Sequence, residues 1–134
     1  MKKGDAMRIR SKVIFLLGIL IAGLPVGAHH SFPATYHVDE EMTVEGRLIA
    51  FLYRNPHAFV HLNVTNDGGE TNRWAVEWAG AGALARQSVS RSTLKPGDHV
   101  IVTGNPGRNP ADNRLRLLKI ERPADGWEWG GEFE

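Results

Sequence analysis

Between Asn55 and Val64 the chain reads Asn-Pro-His-Ala-Phe-Val-His-Leu-Asn-Val, and this alternation constrains the fold more than any other feature. Proline fixes its own φ and moves the preceding residue out of the helical region, so Asn55-Pro56 marks a break. Ala58, Val60, Leu62 and Val64 then share one face, and His57, Phe59, His61 and Asn63 share the other. That is the period of a half-buried β-strand. One face must find a core, which leaves two imidazoles and a phenyl ring on the face opposite.

Similar stretches flank it. Met42 to Phe51 is strand-like, with Gly46 expected as a bulge or barrel bend. Asn66-Asp67-Gly68-Gly69 is a hairpin signal leading into Thr71 to Trp78, where Trp74, Val76 and Trp78 oppose Arg73, Ala75 and Glu77. Gly80 to Gln87 suits a short helix. Leu94-Lys95-Pro96-Gly97-Asp98 turns the chain into a fourth strand, His99 to Gly104, and Leu115 to Arg122 makes a fifth. A mainly β fold follows: a small five-stranded barrel of the oligonucleotide/oligosaccharide-binding (OB) type, with one short helix between strands 3 and 4. The alternative is an open five-stranded sheet or half-sandwich. The expected boundaries are an arm over 29–41 lying on the surface, the barrel over 42–123 and a flexible acidic aromatic tail over 124–134.

The first 28 residues stand apart. Lys2, Lys3, Arg8, Arg10 and Lys12 precede an apolar run from Val13 to Leu24, and Pro25-Val26-Gly27-Ala28 ends in small residues. This is the pattern of a Sec-type signal peptide cleaved after Ala28, which implies a periplasmic or secreted product. The run is shorter than the ~20 residues a spanning helix needs, so no stable membrane anchor is expected after cleavage. Of 16 basic and 15 acidic residues, the leader holds five and one, which leaves 11 and 14 and a net charge of −3. Nucleic acid is therefore an unfavoured partner, because its affinity rests on Lys and Arg neutralising phosphates. Without cysteine there is neither a disulfide nor a thiolate metal site.

Cleavage after Ala28 would make His29 the first residue, and its α-amine and ring nitrogen can chelate one metal ion. Such nitrogen donors suit copper, or another divalent cation, and His30 with His57 or His61 can supply the rest. Phe59, Trp74, Glu77, Arg86, Trp127 and Trp129 are the candidate contacts for a ligand or a protein partner. Glu77 is expected to pair with Arg73 or Arg86, or to act as a base. No catalytic triad, phosphate loop or paired-carboxylate arrangement is present. The reading is an exported binding module for copper. The alternative is a non-metal domain that binds a periplasmic protein partner or acts as an envelope scaffold through its tail, and a histidine-brace copper oxidase or monooxygenase is a third.

His29-His30-Ser31-Phe32, Asn55-Pro56-His57-Ala58, Trp74 with Glu77 three residues on, and Leu94-Lys95-Pro96-Gly97-Asp98 occur in one order and spacing. In these motifs the chain resembles a family of small exported bacterial proteins known as domain of unknown function 6152. The resemblance spans nearly all of the chain after the leader. It implies an exported single domain in which His29, His30 and His57 are the motif histidines, and it brings no activity with it.

Overall fold

The computed structural model describes residues 31–131, so the leader and His29 and His30 lie outside the described residues. The elements run α1 (Phe32–Thr35), β1 (Met42–Leu52), β2 (Phe59–Thr65), β3 (Thr71–Glu77), α2 (Ala81–Arg86), β4 (His99–Pro106), β5 (Arg114–Arg122) and β6 (Trp127–Gly130). The sheet order is β3-β2-β1-β4-β5-β6, and β3 also pairs with β5. That last pairing is parallel and joins Ala75, Val76 and Glu77 to Arg114, Leu115 and Arg116. It closes five strands into an OB-type barrel, with α2 between strands 3 and 4 as the sequence leads one to expect.

The alternation of β2 survives intact. Ala58, Val60 and Leu62 are buried, as are Val76 and Trp78 after them and Val100, Val102, Leu115, Leu117 and Ile120 across the barrel. Burying a side chain of this size is worth roughly 1.5–3 kcal/mol, so this lining holds the closed barrel together. Gly46 is required for another reason than a bulge. A Cβ there would collide with the backbone carbonyl of Asn63 on β2. The register shift of β1 lies instead at Ile49, between Leu48 and Ala50.

Both ends of the domain differ from expectation. The arm is pinned rather than laid over the surface. Tyr36 is 1% exposed and bridges to Gly107, the His37 amide donates to the Pro106 carbonyl at 2.9 Å, and Arg108 donates to the Pro33 carbonyl at 2.7 Å. One large aromatic side chain supplies the burial that periodicity could not reveal. At the other end, the stretch expected as a flexible tail forms β6, antiparallel to β5 from Lys119 to Arg122. Trp129 packs against Trp78 with ring centroids 4.9 Å apart, and its Nε1 donates to Gln87 at 2.7 Å. The alternation of Trp127 and Trp129 with Glu128 and Gly130 outweighs the glycine content.

Candidate functional site

His57 is set by the corner that precedes β2. The Ala58 amide donates to the Ala79 carbonyl at 3.1 Å, the Ala81 amide to the Arg54 carbonyl at 3.0 Å and the Gly82 amide to Asn55 Oδ1 at 3.2 Å. Gly80 lets the chain pass against the Pro56 carbonyl, which a Cβ would strike. The Asn-Pro corner is thus stitched to the junction of β3 and α2, and the imidazole that follows it is held over the end of β3.

That end is Glu77. Its pairing in the sheet sets Phe59 on one side and Arg116 on the other. Glu77 is buried, and it is met by three separate parts of the chain. Tyr36 donates its phenol to Oε2, Arg114 Nη2 donates to the same oxygen at 2.7 Å, and Arg114 Nε donates to the Tyr36 hydroxyl at 2.6 Å. On the other side, Oε1 lies 3.2 Å from His57 Nδ1. This contact is off the hydrogen-bond axis, so Nδ1 is close to a carboxylate and yet without a formed bond. Phe32 closes the group, its ring edge-on to His57 at 5.9 Å and 84°. Phe32, Thr35, Tyr36, His57, Glu77 and Arg114 line a cavity of about 210 Å³.

Electrostatics follow from this packing. Burial and then the bond to Glu77 push the Tyr36 phenol above its ordinary value, so Tyr36 stays a donor at neutral pH. Burial works against the Arg114 cation, but its bonds to Glu77 and Tyr36 win and raise its pKa. The partner of Glu77 is therefore Arg114, not Arg73 or Arg86. Both of those are exposed, and Arg86 sits in the last turn of α2.

The remaining candidates divide. His61 lies outside the cavity lining and stacks on Phe59 at 6.4 Å and 18°, so it does not join His57. Its pKa is lowered, first by burial and then by Arg73 and Arg54. Trp74 is half-buried and lines a separate cavity of about 280 Å³ with His37, Met42, Pro106 and Pro110. Trp127 lies under the guanidinium of Arg122, 5.4 Å from its carbon. Trp129 is core, which removes it as a partner contact. Sequence reasoning missed Tyr36 and Arg114. The signal for Arg114 was present, since an outward-facing arginine on the strand that closes such a barrel meets the outward residues of β3.

Among the described residues, no group of three or more His, Asp or Glu side chains could hold a metal ion, and no helix is long and apolar enough to cross a membrane. No curated protein matches the chain. Two crystal structures of the mitochondrial single-stranded DNA binding protein Rim1 from S. cerevisiae are similar to it. One is 15% identical, covers 61% of this chain and 91% of its own and has a TM-score of 0.46. The other is 13% identical, covers 70% and 98% and has a TM-score of 0.48. A family model matches residues 18–116, and the chain belongs to that family, the family of unknown function DUF6152.

Proposed function

We propose that this is an exported binding module for copper, or another divalent cation, with His57 as the ligand anchored in the barrel and His29 and His30 as the further donors. The observation that carries the reading is the contact of Phe32 with His57, since His30 stands two positions before Phe32 in the chain. The arm is therefore fastened beside a histidine that the barrel holds over a buried carboxylate. A metal-bound histidine usually turns its second nitrogen to a carboxylate, which fixes ring and tautomer. With Nδ1 beside Glu77, Nε2 is the nitrogen left to bind. Glu77 itself is engaged by Tyr36 and Arg114 and acts as the orienting group, not as a ligand.

The test has three arms. Mass spectrometry of the exported protein reports whether the chain starts at His29. Metal analysis of protein purified from the periplasm, followed by Cu(II) titration, is expected to give one tightly bound ion per chain. Adding one glycine ahead of His29, or His57→Ala, is expected to weaken binding by about 10-fold or more. Equal affinity in all three proteins would remove the proposed centre.

A further inference from the structure

We propose that the cavity at the mouth of the barrel, walled by Trp74 and edged by Glu40, binds a small organic cation, an ammonium group carried on apolar carbon. Trp74 shares its strand face with the buried Val76 and Trp78 and pairs with the buried Leu62. It therefore points inward, and the space beside it opens at the end of the barrel rather than on its outer wall. This space of about 280 Å³ lies between the arm, the start of β1 and the loop from β4 to β5. It shares only Arg114 with the cavity at His57, and the metal ligands proposed above take no part in it.

Trp74 is the observation that points to a ligand. Every other Phe, Tyr or Trp ring among the described residues meets a second ring or a guanidinium, and Trp74 meets neither. It is packed against the core on one side, so the indole is held in place while its cavity side offers π surface to whatever enters. Met42, 36% exposed, adds a thioether, and Pro106 and Pro110 add rigid apolar walls. This enclosure suits a compact apolar body.

Charge selects the sign of the ligand. Glu40 lines the cavity, Asp39 and Glu41 flank it in the chain, and all three are exposed. Among the described residues none of the three pairs with Lys or Arg, and the ion contact of Glu40 is with His37 Nδ1 at 3.8 Å. Arg114 is the cation of the lining, and its guanidinium is turned to Glu77 and Tyr36. Arg108, which meets His37 at 3.5 Å, stands off the lining. An anion would face these carboxylates, and a hydrated inorganic ion has no use for an apolar floor. An ammonium on apolar carbon uses both, because tryptophan is the best ring for a cation and burial of the carbon body adds to it.

The experiment is an NMR titration of the purified protein with choline, following the indole N–H signals. Its neutral twin, 3,3-dimethylbutan-1-ol, has the same shape without the charge. Saturable binding of choline with a Kd of about 1 mM or tighter is expected, and the neutral twin should bind about tenfold more weakly. Trp74→Leu should weaken choline binding about tenfold, and Glu40→Gln, an exposed change, about threefold. The control Trp127→Ala removes a ring that already meets Arg122 elsewhere and should stay within about twofold. Dispersed amide spectra will show which variants fold; should Trp74→Leu fail to, Glu40→Gln and the neutral twin still decide. Four results would each overturn the proposal: no saturable shift up to about 20 mM choline, equal affinity for the neutral twin, unchanged affinity in Glu40→Gln, or a folded Trp74→Leu protein that binds choline as the native one does.

Discussion

Arg114 Nη2 meets Glu77 Oε2 at 2.7 Å, and it does so from the strand whose parallel pairing with β3 closes the barrel. The ion pair and the closure are one event. Removing one partner of a fully buried pair costs roughly 3–5 kcal/mol, but the Arg114 side chain is 35% exposed and Tyr36 still serves Glu77. Arg114→Met should therefore cost about 2 kcal/mol. Urea unfolding at neutral pH measures it, and an unchanged midpoint would show that the pair does not stabilise the closed barrel.

Tyr36 gives a prediction in alkaline solution. Its folded pKa stands above the ordinary phenol value of about 10, so the unfolded chain loses this proton first as pH rises. The contribution is complete below pH ~10 and is lost above it, at up to roughly 1.4 kcal/mol per pH unit. Denaturation at pH 9 and pH 11 should show the fall in the native chain and a smaller one in Tyr36→Phe. Parallel curves for the two proteins would refute a phenol buried on a carboxylate.

How far the sequence carries one toward this site depends on how local each cause is. The β2 alternation, the Asn66–Gly69 hairpin and the Pro96-Gly97 turn are local signals, and strands and helix fall within a residue or two of where they place them. His57 was readable as a candidate because it follows the Asn-Pro break, and Glu77 because it alternates opposite Trp74, Val76 and Trp78. Their junction was not. Tyr36 reaches Glu77 from 41 positions away and Arg114 from 37, and no periodicity records contacts of that separation. The arm's anchoring rests on one buried tyrosine, which composition dilutes.

His61 should titrate below the ordinary value of about 6.5, with burial as the first cause and Arg73 and Arg54 adding to it. A lowered pKa means that the folded protein binds fewer protons than the unfolded chain, so this contribution to stability is present above pH ~6.5 and is lost as pH falls. Arg73→Gln should move the His61 midpoint part of the way back, because burial remains. Imidazole proton shifts followed by NMR from pH 4 to 8 would read both, and a midpoint insensitive to Arg73 would exclude the arginine as a cause.

Trp129 decides whether the end of the chain is structure or appendage. It is 8% exposed, lies in edge contact with Trp78 and fixes Gln87, the residue that ends α2. Trp129→Ala should therefore cost about 3–5 kcal/mol, as truncation of a packed aromatic does. Much of a small domain's total stability of roughly 5–15 kcal/mol would go with it. Trp127→Ala, which loses only a half-buried ring beside Arg122, should cost about 1 kcal/mol. Thermal unfolding of the two variants separates the alternatives. A large drop confined to Trp129 is the signature of a sixth strand with one face in the core. Two small and equal drops would mean a detachable segment, and would return Trp129 to the list of surfaces open to a partner.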